Sequence, residues 1–310
     1  MNDLEELIHN YIEYCKYQKN LSLKSIKAYT IDFKQFSDFM NLSTDGKLNK
    51  LNLSNYIMYL HKTYKPKTIK RKIACLKAFC NYLEYDELIE KNPFSKMKIR
   101  FQEPTLLPKT IPLNVIQKML SFVYDELNKN TLTPSKFKSI LRDIAVIELL
   151  FATGIRVSEL CSLTTEDVNI TDGIIRIYGK GSKERLVQIA NNEVLISLSN
   201  YKTAFEIAMQ TEGYFFLNRL GNRLSEQSVR FMINRYAELS NINMHVTPHM
   251  FRHSFATLLL EEDVDIRYIQ QLLGHSSIVT TQIYTHVTSS KQKNILTSKH
   301  PRNKLKVNEG

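Results

Sequence analysis

The stretch Gly173–Ala190, GIIRIYGKGSKERLVQIA, decides the fold class. Its branched residues stand on either side of Gly179 and Gly181, which reads as a β-hairpin with Lys180 in its turn. Upstream, Ser139–Thr153 (SILRDIAVIELLFAT) is apolar enough for a buried helix, and Gly154 is placed to end it. A helix opens near Leu113, separated from that one by the polar run Asn128–Lys136. Downstream, Thr247–Leu260 (TPHMFRHSFATLLL) offers an N-cap threonine followed by Pro248 at the first helical position. In Ile266–Val287 (IRYIQQLLGHSSIVTTQIYTHV) a helix ends at Gly274, His275 sits on the loop, and a short helix begun at Ser276 or Ser277 carries Tyr284. One hairpin among helices predicts a mainly α chain with a small β-sheet, the α+β class.

The first hundred residues repeat apolar positions three and four apart, as in Leu4, Leu7, Ile8, Tyr11 and Ile12. Four helices are expected there, the second capped by Ser22. In the fourth, Ile69, Ile73, Leu76 and Cys80 form an inner stripe, with Lys67, Lys70, Arg71 and Lys77 mostly on other faces. Those cations read either as a solvated face or as one that contacts phosphates. The run RFQEPTLLPKTIP follows, whose Pro104, Pro108 and Pro112 favour an extended connection. The domains are therefore drawn as 1–100, helical; 101–112, linker; 113–290, second domain; and 291–310, a basic tail carrying Lys291, Lys293, Lys299, Arg302, Lys304 and Lys306.

Length agrees, since 310 residues at about 150 per domain give two domains, each able to bury its own core. Cys15, Cys75, Cys80 and Cys161 form no C-x-x-C pair and read as buried thiols of a reducing compartment. The acidic N-terminus lacks the pattern of a signal peptide, and no run approaches the ~18 apolar residues of a membrane span. A soluble, cytoplasmic protein with no membrane partner is expected. The net charge of +11 points to a polyanion, and the first hundred residues hold 18 Lys and Arg against 11 Asp and Glu.

Chemistry enters through six side chains. Arg156 follows a buried helix and needs an anion when desolvated; Glu159, three residues on, supplies one without excluding a phosphate on the remaining donors. His249 and Arg252 share a helix face. His249 and His253 have the spacing of a zinc-protease helix, but Met250 stands where H-E-x-x-H needs its glutamate, and Arg252 would repel a cation. An imidazole beside a guanidinium near a helix N-terminus suits an anion better. His275, taken alone, is a surface or cap histidine, and Tyr284, taken alone, a packing aromatic. Combined with Lys180, these give two arginines, two histidines, a lysine and a tyrosine with no acidic cluster to hold Mg2+. Two arginine forks neutralise the oxygens of a phosphodiester and its transition state. A phenol of pKa ~10 needs activation to attack, and a departing alkoxide needs a proton, which a lysine on a hairpin turn can give.

Arg156 in TGIRVSEL, Lys180 in GKGSKERL, His249 and Arg252 in HMFRH, His275 in LLGHSS and Tyr284 in IYTHV resemble, in order and spacing, the six-residue active site of the tyrosine recombinases. The phrasing is most similar to the Xer and phage-integrase branch. The resemblance implies attack by Tyr284 on the scissile phosphate, a 3'-phosphotyrosyl intermediate and a free 5'-hydroxyl. Arg156 and Arg252 would bind the phosphate, His275 stabilise the transition state, His249 assist proton transfer and Lys180 protonate the leaving oxygen. No cofactor or metal is implied. The partner it implies is double-stranded DNA with two recombination sites, which the two domains would clamp and on which a homo- or hetero-tetramer would assemble from protomers expected to be monomeric when free. The alternatives are strand relaxation of the type IB topoisomerase kind and a non-catalytic DNA-binding protein.

Overall fold

The computed structural model describes residues 4–99, 108–179 and 184–274. The chain divides into two compact units, residues 1–105 and 106–310. It is mainly helical with one small sheet, as the patterning predicts.

The first unit holds α1 (Leu4–Tyr17), α2 (Leu23–Ser43), α3 (Lys50–Thr63) and α4 (Pro66–Tyr85), then a 3-10 turn at Pro93–Lys96. Ser22 caps α2 by accepting the Ser25 N–H at 3.3 Å. The inner stripe of α4 is buried, and it packs with Tyr11, Phe33, Phe36 and Tyr56 into an aromatic-rich core. Phe33 and Phe79 meet edge to face with centroids 5.1 Å apart. Lys72 lies inside this core, donating to Asp32 at 2.8 Å and to Gln35.

The second unit contains α5 (Leu113–Leu127), α6 (Pro134–Thr153), α7 (Val157–Leu160), β1 (Val168–Asn169), β2 (Ile174–Tyr178), β3 (Glu184–Gln188), α8 (Asn192–Glu212), α9 (Glu226–Leu239), α10 (Pro248–Glu261) and α11 (Ile266–Leu273). From Ile140 onward α6 is buried on nearly every side, as the central helix packed against α5, α8 and α10. Gly154 ends it in the left-handed conformation at φ +57°. The hairpin forms antiparallel from Ile174↔Gln188 to Tyr178↔Glu184, and the two-residue β1 adds a third strand in the order β1-β2-β3. Its side chains alternate, with Ile175, Ile177 and Val187 buried and Arg176 and Leu186 outward.

The end of the stretch read as linker is fixed to this unit. Ile111 is buried, its N–H donates to Ser254 Oγ at 2.6 Å, and its carbonyl accepts from that hydroxyl at 3.1 Å. The tail drawn at 291–310 lies outside the described residues, as do 100–107. All four cysteines are buried thiols. No helix among the described residues is long and apolar enough to cross a membrane.

Candidate active site

Gly154 turns the chain out of α6, Ile155 is buried, and Arg156 takes the N-cap position of α7. Glu159 then stands at the third helical position and closes back on the cap. Its carboxylate accepts the Arg156 N–H at 3.0 Å and Arg156 Nη1 at 2.7 Å. Glu159 is 7 % exposed but the Arg156 side chain is 33 % exposed, so the pair holds the guanidinium without closing it off from an incoming anion.

Arg252 rises from the first turns of α10 and is buried. Its Nη1 donates to the Gly154 carbonyl at 2.8 Å and its Nη2 to the Leu273 carbonyl at 2.7 Å. Those oxygens lie at the C-terminal ends of α6 and α11, where unpaired carbonyls and the negative ends of the helix dipoles offset a desolvated cation. Arg156 Nη2 reaches the next carbonyl, Gly274, at 3.4 Å. Two arginines from distant parts of the chain thus meet at the end of α11.

His249 occupies the first turn of α10, after Pro248. Although the residue as a whole is exposed, partial burial of its ring, and then the charges of Arg230, Arg252 and Arg156, hold the imidazole below its ordinary value of 6.5. It is neutral at pH 7 and able to accept a proton. One turn on, burial, followed by His249 and Arg252, lowers His253 to about 4. Among the described residues no three His, Cys, Asp or Glu side chains are placed to share a metal ion.

Three of the six sequence candidates, Arg156, His249 and Arg252, are thereby brought together. Lys180, His275 and Tyr284 lie outside the described residues. The described chain flanks two of them closely: Tyr178 and Glu184 pair at the end of the hairpin that carries Lys180, and Gly274 directly precedes His275.

The structure adds Arg185, which the sequence reading passed over. Its Nη1 and Nη2 fork onto Glu159 Oε1 and Oε2 at 3.1 and 2.7 Å, and its Nε donates to the Leu272 carbonyl at 3.1 Å. Burial raises the Glu159 carboxyl, but the hydrogen bonds and charge of Arg185, then of Arg156, outweigh this and hold it below its ordinary 4.5. Glu159 is an anion at pH 7 shared by two arginines, Arg156 and Arg185, and Arg252 at the end of α11 adds a further positive charge. The signal was in the hairpin itself: where Ile175, Ile177 and Val187 face inward, strand alternation turns Arg185 inward too.

A helical unit is thus followed by an α+β unit that gathers Arg156, Arg185 and Arg252 at the end of α11, a cationic site with one partly open guanidinium that suits an anion. Comparison with known proteins makes the class specific. Residues 109–291 match the phage integrase family, and residues 8–86 match the phage integrase N-terminal SAM-like domain. A tyrosine recombinase of Agathobacter rectalis is 54% identical over 302 residues, covering 97% of this chain and 98% of its own. Tyrosine recombinase XerD of Listeria innocua is 34% identical, covering 96% of this chain and 100% of its own. Among solved structures, XerH bound to palindromic difH in a post-cleavage complex shares the fold at a TM-score of 0.74 and 22% identity, over 92% of this chain and 83% of its own. The chain belongs to the phage integrase family, the tyrosine recombinases, and is a site-specific DNA recombinase.

Proposed function

We propose that Tyr284 is the nucleophile of this recombinase and that Arg156, Lys180, His249, Arg252 and His275 complete its active site. The observation that carries the reading is the meeting of Arg156 and Arg252 at the carbonyls of Leu273 and Gly274, one residue before His275. A phosphate seated on the open side of Arg156 would lie near the neutral His249 and near Gly274, the residue before His275.

In this reading the Tyr284 oxygen attacks phosphorus and the P–O5' bond breaks. The phenolic proton passes to a base, for which His249 has the required charge state, and Lys180 protonates the departing 5'-oxygen. Arg156, Arg252 and His275 stabilise the charge on the transition state. The phosphotyrosine conserves the energy of the phosphodiester, so the 5'-hydroxyl of a partner strand reverses the attack without ATP. Residues 1–100 serve as a DNA-binding unit, 113–290 as the catalytic unit and 291–310 as a basic tail. Exchange takes place in a tetramer on two DNA sites, in the cytoplasm. The match of relatives across both units favours exchange over strand relaxation.

The test is a nicked DNA substrate that traps the covalent adduct. Tyr284→Phe should retain DNA binding and form no adduct. An adduct that survives the change would sink the assignment. Relaxation of any supercoiled plasmid by a monomer, without a second site, would instead favour the topoisomerase reading.

A further inference from the structure

Three successive carbonyls at the end of α11, those of Leu272, Leu273 and Gly274, accept hydrogen bonds from Arg185, Arg252 and Arg156 respectively. Two of these arginines belong to the proposed phosphate site. The third comes from β3, where it sits opposite Ile177 on the inward face of the hairpin. An apolar residue there would extend the surface of Ile175, Ile177 and Val187 without desolvating a charge. Glu159 would still have Arg156 to pair with.

We propose that Arg185 is a positioning residue for phosphate binding, acting through Glu159 on Arg156 and through Leu272 on the chain that enters His275. The proposal rests on the assignment of Arg156 and Tyr284 above. Its geometry is that of a clamp. The fork of Arg185 meets both oxygens of Glu159 and so fixes the plane of the carboxylate. With that plane set, Oε2 is aimed at the Arg156 N–H and Oε1 at its Nη1, which orients the guanidinium. Gly274 lies against the same fork: a Cβ there would stand 2.9 Å from Arg185 Nη1 and 3.1 Å from its Cζ. Arg185 therefore bridges the phosphate-binding arginine and the last residue before His275. A lysine could not reproduce this, because one ammonium cannot span two carboxylate oxygens and a carbonyl in a fixed plane.

The experiment uses the full-length protein and a nicked DNA duplex, comparing Arg185→Gln and Arg185→Lys with Arg156→Gln and Tyr284→Phe. DNA affinity, thermal unfolding and the single-turnover rate of adduct formation are measured. Arg185→Gln should slow adduct formation roughly tenfold to hundredfold while DNA affinity changes little, the cost of misplacing a group by a fraction of an ångström. Arg185→Lys keeps the charge without the fork and should also be slow, which carries the test should the glutamine variant not fold. Two modified substrates separate positioning from general damage. With a methyl group in place of one nonbridging oxygen the phosphate is neutral and asks less of Arg156, so the defects of Arg185→Gln and Arg156→Gln should shrink together. With sulfur at the bridging 5' position the thiolate leaves without a proton, and the Arg185 defect should persist.

An ordinary rate in both Arg185 variants would overturn the proposal, as would an undiminished defect on the neutral substrate. So would rescue by sulfur, which would place the action of Arg185 at Lys180 in its own hairpin. If instead Arg156→Gln reacts normally or Tyr284→Phe still forms an adduct, the reading of the site itself fails.

Discussion

Gly154 shows how much of the site hangs on single residues. Its φ of +57° is costly for any residue with a Cβ, and a methyl added there would stand 2.7 Å from Phe255 Cδ1 and 2.9 Å from Leu273 Cδ2. Both neighbours come from the helices that meet at Arg252, whose Nη1 is held by the Gly154 carbonyl. Gly154→Ala should therefore cost about 2–4 kcal/mol, combining the backbone penalty with overpacking, as measured by urea unfolding. A loss below about 1 kcal/mol would mean that the contact yields without strain. His253 makes a second prediction at this scale. Unfolded, it takes a proton below its ordinary 6.5; folded, only below about 4. Between those values the unfolded chain holds more protons, so stability present above pH 6.5 is lost as pH falls through the window. Replacing His253 with Gln should reduce that acid loss by on the order of 2 kcal/mol, allowing for the ring's remaining access to water. Parallel unfolding curves of the two proteins from pH 7 to pH 4 would show that the ring does not carry the effect.

Elements differed in how far the chain announced them. The hairpin, the end of α6 at Gly154 and the end of α11 at Gly274 were legible because glycine and branched residues act locally. β1 was not, since two residues carry no period of their own and pair only because β2 is beside them. Thr247 stands at the N-cap of α10 but makes no side-chain cap bond, so the start rests on Pro248 and packing rather than on the hydroxyl. The meeting of Arg156 and Arg252 depends on how α6, α10 and α11 pack, which spacing cannot report. α4 hides another tertiary effect: hydropathy places Lys72 outside, yet it is 2 % exposed beside Asp32 at 3 %. The two partners should not be equivalent. Asp32→Ala strands the Lys72 ammonium with Gln35 and the Tyr64 ring, 4.9 Å away, and should cost about 3–5 kcal/mol. Lys72→Met leaves Asp32 with Arg71 and should cost only about 1–2 kcal/mol. The reverse order in denaturant unfolding would show that Arg71 does not hold the carboxylate.

For the whole molecule, the charge of +11 acquires meaning from where it is placed. On α4 the exposed residues Lys67, Lys70, Arg71 and Ala74, with the half-buried Lys77, fall on one stripe, three and four residues apart, opposite the buried Ile69, Ile73 and Leu76. Arg71 pairs with Asp32, so the test is made on the three lysines, whose removal does not disturb that pair. A stripe of this kind would neutralise phosphates and release their counterions, so affinity falls with salt in proportion to the contacts made. Changing Lys67, Lys70 and Lys77 together to Gln should shorten the slope of log affinity against log salt by up to about 0.9 for each lysine that meets a phosphate. The rate of adduct formation at saturating DNA should stay as it was, because no residue of the proposed site is altered. A slope that does not move would make the stripe a solvated face.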